Sequence, residues 1–205
     1  LYPNPSVTSA AVAELTEHIQ IRAGSVVLPL QDPIRVAEDW AVVDNLSGGR
    51  VGLSFASGWH ADDFVLSPEA YGTRKDVMLR GIDTVRRLWR GESIARTTGT
   101  GEEISVCTLP RPLRAEPPIW ITAAGNVETF RMAGQMGANV LTNLLGQSLD
   151  DLAGKLAAYR AERALHGHAG PGRVSLMLHT FIGTDVAAVR EKVRAPFTEY
   201  LRTST

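Results

Sequence analysis

The chain has 205 residues, and its 21 Lys and Arg against 22 Asp and Glu leave it almost neutral, which gives no electrostatic reason to expect nucleic acid or an anionic membrane as a partner. Its single cysteine, Cys107, excludes an internal disulfide and a multi-cysteine metal site, and this favours a reducing, cytoplasmic setting. Because it contains neither an apolar run of about 20 residues nor a signal-peptide pattern, we expect a soluble protein.

The first half of the chain is predicted to alternate between helices and strands. Asp32 followed by Pro33 is typical of a helix start, because Asp caps the first turn and Pro suits the first helical position. Gly91 is typical of the residue just past a helix end. In chain order, the predicted elements are a helix over 7–18, strand character over 19–23 and 26–28, a helix from 33 to the Gly48-Gly49 pair, a strand over 51–55 and a helix over 74–90.

The second half resumes this alternation after an interruption. Residues 92–118 are rich in Gly, Thr and Pro and are predicted to be a surface insertion with a short hairpin near 104–109. The elements predicted after it are a strand over 119–122, a helix over 126–136, a strand over 139–142, a helix over 149–165, a strand over 174–182 and a helix over 186–201. Strands joined by helices predict a parallel sheet, because the chain must return to the same end of the sheet.

Two α/β architectures satisfy this pattern. An open doubly wound sheet needs no more strands than the five predicted, whereas a closed (β/α)8 barrel usually takes about 250 residues, so a barrel here would lack roughly a third of its chain. The sequence starts at Leu1 without an initiator Met and stops at Thr205 directly after a predicted helix. We therefore expect a piece of something longer if the fold is a barrel.

Three predicted strands end in small and polar residues: Gly24-Ser25, Ala56-Ser57-Gly58 and the turn from Ala123 to Asn126. Ligands bind at the carboxyl ends of parallel strands, where small residues let a flat ring or a phosphate approach the backbone. Asn126 could cap the following helix or present donors to an anion. Each turn taken alone could equally be only a turn. No dinucleotide or Walker-type glycine motif is present, and no nucleophile elbow or acid–His pair accompanies Ser57, so serine hydrolysis is disfavoured.

Histidines are the other candidates for chemistry. His60 follows the second strand end and is the best titratable candidate, with a solvated loop histidine as the alternative. His166 and His168 lie in a Gly-rich loop without a neighbouring carboxylate, which disfavours a metal site. We expect His18 to end a helix in a structural role, and His179 to lie in the last strand as a core residue.

Two segments resemble one known family. IRAGSVVLPLQDPIRVAEDWAVVDNLSGGRVGLSFASGW (21–59) and IWITAAGNVETFRMAGQMGANVLT (119–142) are similar to luciferase-like flavin-dependent monooxygenases, particularly the natural-product biosynthesis branch. The Leu-Pro-x-x-x-Pro helix start, the Gly-Gly-Arg before a strand and the Ala-Gly turn occur in the family's order and spacing. The resemblance implies that residues 1–205 form part of one TIM-type (β/α)8 barrel domain, with the first two strands and the last strand absent.

The family's chemistry belongs to its cofactor. The resemblance implies reduced FMN at the carboxyl ends of the strands, addition of O2 at flavin C4a, and oxygenation of an organic substrate by the resulting peroxide. The protein then supplies position, polarity and exclusion of water. It also implies a separate flavin reductase, a small-molecule or carrier-bound substrate, and no metal, and it leaves a homodimer open. The alternatives are an F420-dependent oxidoreductase of the same superfamily and a non-catalytic remnant or interaction module.

Site residues are carried over by position. Gly24-Ser25 matches a non-proline cis peptide beneath the flavin ring, and Trp59 and His60 match the substrate side. At Ala56 and Ser57 bacterial luciferase has Cys and Arg, so we expect a phosphate cradle without a charged partner. The family's catalytic His matches a position before Leu1. The cofactor-binding residues implied are Gly24, Ser25, Ala56, Ser57, Gly58, Ala123, Gly125, Asn126, Thr129, Leu141 and Thr142.

Overall fold

A parallel sheet of five strands organises residues 4–204, the part of the chain that the computed structural model describes. The strands of this sheet are β1 (Ile21–Val27), β2 (Val51–Ala56), β5 (Ile119–Thr122), β6 (Asn139–Asn143) and β7 (Val174–Met177), and β3 (Ile94–Thr97) and β4 (Glu103–Val106) form a separate two-stranded sheet. The α-helices are α1 (Pro5–Leu15), α2 (Pro33–Leu46), α3 (Arg74–Arg90), α4 (Val127–Gln135), α5 (Leu149–Leu165) and α6 (Val186–Ser204). Within the described residues, no helix has the length and apolar character required to cross a membrane.

The sheet has the order β1-β2-β5-β6-β7, with every neighbouring pair parallel, and it curls into part of a barrel. Helices cover its outer face, where Leu53, Phe55 and Ile121 are fully buried. The alternate side chains of the same strands point to the concave face, because successive residues of a strand face opposite sides. This pattern confirms the predicted parallel α/β fold and places the ends of β1, β2, β5 and β6 along one rim.

Local signals located the helix boundaries well. The Asp32 side chain accepts a hydrogen bond from the Ile34 amide at 2.8 Å and so caps α2, with Pro33 as its first residue. Gly91 follows α3 in the left-handed conformation, with φ of 83°, as a C-terminal cap. The predicted helix over 149–165 is observed over the same residues.

Three predicted boundaries are wrong. α1 ends at Leu15, so His18 lies in the following loop instead of at a helix end. β7 ends at Met177, because its neighbour β6 ends at the opposing residue, Asn143, and offers no further partner. His179 therefore lies beyond the strand, with its ring against Phe197 and Tyr200 at centroid distances of 5.3 and 4.7 Å. The hairpin of the insertion is formed by β3 and β4, earlier in the chain than predicted.

The insertion over 92–118 is tied to the helical layer by polar contacts. Trp89 Nε1 donates to the Arg114 carbonyl at 2.9 Å, and the Leu113 amide donates to Asp44 Oδ2 at 2.8 Å. Asn45 Nδ2 donates to the Arg111 carbonyl at 2.9 Å. These bonds hold the chain that leads from the hairpin back into β5, and β5 carries part of the site described next.

Candidate active site

Hydroxyl groups from three strands meet on the concave face near the carboxyl rim. Thr122 Oγ1, on β5, lies 2.5 Å from Ser25 Oγ on β1 and 2.8 Å from Ser54 Oγ on β2. Ser54 is 2% exposed, whereas Ser25 and Thr122 are half-buried. β2 lies between β1 and β5 in the sheet, so the sheet order brings close together residues that are far apart in sequence.

The Gly24–Ser25 segment forms the floor of this rim. The peptide bond between the two residues is cis, as the family resemblance implied. The β1–β2 register shifts between Gly24 and Val26, which turns Ser25 toward Thr122. A Cβ atom on Gly24 would lie 3.4 Å from Leu141 Cδ2, so this glycine keeps the concave surface flat beside Leu141. A flat surface next to hydroxyl donors suits a planar ring with polar edges.

The turn after β2 requires glycine at position 58. Gly58 has φ of 78°, and a Cβ atom there would lie 2.8 Å from Phe64 Cε2 and 3.0 Å from Val27 Cγ1. Its carbonyl accepts a hydrogen bond from Arg74 Nε at 3.3 Å. Among the described residues, the Ser57 hydroxyl makes a single long contact, 3.5 Å from the Gly58 carbonyl, which leaves it able to bind a ligand.

Trp59 and His60 begin the loop that follows this turn. Trp59 is 71% exposed, and its ring meets that of His60 edge-on with a centroid distance of 5.3 Å. His60 Nδ1 lies 3.9 Å from Asp62 Oδ2, which is beyond hydrogen-bonding distance. Both rings thus stand at the mouth of the rim, where an incoming molecule can meet them.

The turn between β5 and α4 presents backbone to the same rim. Asn126 caps α4, because its Oδ1 accepts a hydrogen bond from the Glu128 amide at 2.9 Å. Gly125 is exposed, and apart from its chain neighbours no atom of the described residues lies within 4 Å of the position a Cβ atom would take. Thr129, in the first turn of α4, is half-buried, whereas Ala123 is only 3% exposed and faces the helices. The helix start and Gly125 thus form an open, donor-rich corner.

A lysine reaches this corner from α5, and the prediction of a phosphate cradle without a charged partner did not include it. Lys155 Nζ lies 3.3 Å from the Ala124 carbonyl and 2.7 Å from Gln147 Oε1. Lys155 is half-buried and flanks the apolar stripe that includes Leu152 and Tyr159. Helical spacing was the signal that could have located it, because residue 155 lies on the same face as 152 and 159.

The predicted site residues do not all meet. Ala56 ends β2 beside Ser57, so these residues share the rim with Gly24, Ser25 and Gly125. Thr142 is fully buried, and its Oγ1 accepts a hydrogen bond from Gln147 Nε2 at 3.3 Å. The remaining histidines of the described part of the chain do not form a metal site. His166 and His168 lie within hydrogen-bonding distance of the carbonyls of Glu162 and Gln135, away from the rim. Within residues 4–204, no group of three or more His, Cys, Asp and Glu side chains could hold a metal ion.

A flat floor, hydroxyl donors, an exposed glycine corner and a lysine on one rim can hold a planar ring with an anionic tail, so these residues fit FMN. The fold is that of β/α-barrel proteins, a class whose ligands bind at the carboxyl ends of the strands. The model of the family described as luciferase-like monooxygenase matches residues 1–204, and the chain belongs to that family.

Relatives and solved structures agree with this membership. The chain is 26% identical over 186 residues to the oxygenase component of a flavin-dependent trigonelline monooxygenase from Acinetobacter baylyi, covering 88% of this chain and 50% of the relative. The monooxygenase RslO1 from Streptomyces bottropensis superposes with a TM-score of 0.85 at 23% identity, over 98% of this chain and 61% of that one. The chain therefore spans about half the length of the curated relatives it matches.

Two further structures share the fold with different cofactors. The oxygenating constituent of 3,6-diketocamphane monooxygenase from Pseudomonas putida, solved with FMN, has a TM-score of 0.76 at 18% identity over 94% of this chain and 57% of that chain. An F420-dependent secondary alcohol dehydrogenase has the same TM-score at 17% identity, with coverages of 94% and 59%. At these identities the likeness concerns the fold alone. The sheet of this chain is accordingly an incomplete TIM barrel.

Proposed function

We propose that the protein is the oxygenase component of a two-component monooxygenase that takes reduced FMN from a separate flavin reductase. It uses O2 to oxygenate a small-molecule or carrier-bound substrate, in the cytoplasm and as part of natural-product biosynthesis. The observation that carries the proposal is the rim itself, which brings together the flat Gly24–Ser25 floor, the hydroxyl groups that contact it and the cationic Lys155 corner beside Ala124. The flavin-dependent relative supports the same cofactor class.

Each part of the rim has one task in this proposal. The ring lies against Gly24 and Ser25, and the phosphate binds at the corner formed by Ser57, Gly125 and Lys155. Trp59 and His60 wall the substrate side and exclude water from it. When bound, reduced FMN supplies the electrons that activate oxygen. The protein therefore contributes placement and electrostatics, which are properties that binding experiments can measure.

Cofactor choice provides the direct test of this proposal. We expect the purified protein to bind FMN with at least tenfold higher affinity than F420 in a competition titration followed by flavin fluorescence. The F420 alternative keeps the same fold and rim, and the F420-dependent structural neighbour is the observation that favours it. Tighter binding of F420 would mean that the protein catalyses hydride transfer instead of the proposed oxygenation. Failure to bind either compound would favour the non-catalytic remnant.

Replacing Lys155 by methionine should weaken FMN binding about tenfold and leave riboflavin binding unchanged. The substitution keeps the aliphatic stem and removes the charge, and a hydrogen bond to a charged group contributes about 1.5–3 kcal/mol before screening by solvent at this half-buried position. Microcalorimetry with both flavins at low and high salt measures the effect. The matched control is Lys75→Met, because Lys75 is exposed on α3. An equal loss of affinity for riboflavin would show that Lys155 does not contact the phosphate.

Replacing Ser57 by alanine should also discriminate between the two flavins, but less strongly. Its hydroxyl is uncharged, and the loss of one neutral hydrogen bond costs about 0.5–1.5 kcal/mol, so we expect FMN binding to weaken several-fold to about tenfold. Riboflavin lacks the phosphate and should bind equally to both proteins. The same calorimetric titrations measure this. If riboflavin binding falls as much as FMN binding, Ser57 contacts the ring or shapes the turn instead.

A further inference from the structure

The hydroxyl groups of Ser54, Thr122 and Ser25 form a linear chain of hydrogen bonds across three strands. Thr122 stands in the middle, 2.8 Å from Ser54 Oγ and 2.5 Å from Ser25 Oγ. Three hydroxyl groups carry three protons, and the two contacts use one proton each. One O–H therefore remains for donation outside the chain.

The burial of Ser54 determines which hydroxyl group donates in each of the two hydrogen bonds. Ser54 is 2% exposed, and within residues 4–204 its hydroxyl has no hydrogen-bond partner other than Thr122. If Ser54 accepted from Thr122, its own proton would be buried without an acceptor, which is costly. Ser54 thus donates to Thr122, and Thr122 donates to Ser25, because within residues 4–204 Thr122 Oγ1 contacts no other acceptor. Each bond polarises the next, so the last hydroxyl becomes a stronger donor than an isolated serine.

Ser25, the last of the three hydroxyl groups, lies at the carboxyl rim of the sheet. Ser25 is half-buried and belongs to the cis Gly24–Ser25 segment, where the glycine leaves the concave face open. Thr122 lies on β5, and both hydrogen bonds of its hydroxyl group are made to Ser54 and Ser25, so its own proton is already used. The remaining proton is therefore available to a ligand at Ser25 Oγ.

We propose that Ser25 donates this hydrogen bond to the negative charge of the reduced flavin ring, and that Thr122 and Ser54 are positioning residues that orient and polarise it. The inference rests on the proposed function, because it needs a flavin against Gly24 and Ser25. The reduced ring loses a proton near neutral pH and becomes an anion, whereas the oxidised ring is neutral. A fixed donor stabilises the anion more than the neutral ring, because charge-assisted hydrogen bonds are the stronger ones. The three hydrogen-bonded hydroxyl groups thus make the site selective for reduced FMN.

The ratio of the affinities for reduced and oxidised FMN tests this inference. Both forms are titrated against the purified protein, the reduced form anaerobically after dithionite treatment. We expect the ratio to fall about tenfold in Ser25→Ala, about threefold in Thr122→Val and less than about twofold in Ser54→Ala, because the first change removes the donor and the others weaken it. Thr122→Ser retains a hydroxyl at the same position and should retain the ratio.

Controls separate this inference from a structural role and from the proposed function. Thr84→Val removes a hydroxyl that bonds only to the Arg80 carbonyl in its own helix, and it should leave both affinities unchanged. A merely structural effect of Ser25→Ala would weaken the binding of reduced and oxidised FMN equally. That result, or the reverse order of effects among the three variants, overturns the inference. FMN binding by the unsubstituted protein would in that case still support the proposed function. If the unsubstituted protein binds neither form, both proposals are wrong.

Discussion

Replacing Arg50 by alanine should lower the free energy of unfolding by about 3 kcal/mol, since four backbone carbonyls, two of them on the buried residues Ala13 and Ser47, lose their partner at once. Arg50 is only 8% exposed and lies just before β2. Its Nε donates to the Ser47 carbonyl at 2.7 Å, and its terminal nitrogens donate to the carbonyls of Ala13, Thr16 and Ile19. This one guanidinium therefore joins the end of α1, the start of β1 and the turn before β2.

Denaturant unfolding followed by circular dichroism measures the loss, and two variants calibrate it. Arg50→Lys should recover only part of the stability, because an ammonium group cannot reach acceptors spread around a planar guanidinium. Arg35→Ala removes an exposed arginine, 75% accessible and paired with Glu38, and should change the stability by less than about 0.5 kcal/mol. An Arg50→Ala protein as stable as the Arg35→Ala protein would mean that water satisfies these carbonyls equally well.

Replacing Gly134 by alanine should destabilise the protein by about 2–3 kcal/mol, although alanine normally favours a helix. Gly134 lies in α4 where it crosses α5, and a Cβ atom there would stand 2.4 Å from the Tyr159 carbonyl oxygen and 2.9 Å from Glu162 Cβ. Backbone cannot move aside as a flexible side chain can, so the two helices must separate. Separation would also strain the bond that Tyr159 Oη donates to the Ala138 carbonyl at 2.7 Å.

The same substitution at Gly154 is the matched control for Gly134. Gly154 lies inside α5, and apart from its chain neighbours and the backbone of its own helix no atom of residues 4–204 lies within 4 Å of the position a Cβ atom would take, so Gly154→Ala should stabilise the protein by about 0.5–1 kcal/mol through helix propensity alone. Equilibrium unfolding of both variants under one set of conditions gives the two signs. Stabilisation by Gly134→Ala would show that α4 and α5 have room between them.

The residues that cap helices were the most predictable part of the fold. Asp32 and Gly91 mark the ends of α2 and α3 in the sequence, because a cap depends on groups within about four residues along the chain. The end of α1 was not predictable in this way. Thr16 is extended, and its carbonyl binds Arg50 from 34 residues further on, a contact that no local pattern contains.

The candidate site shows the same difference between features set by neighbouring residues and features set by long-range contacts. The alternation of strands and helices and the small residues at the strand ends, such as Gly24-Ser25 and Ser57-Gly58, could be predicted from the sequence, because both depend on neighbouring residues and on hydrophobic periodicity. No local pattern predicts that Lys155 reaches the Ala124 carbonyl or that Ser25 meets Thr122, 97 residues away. Sheet order and helix packing set these distances, and both arise from burial of the whole apolar surface at once.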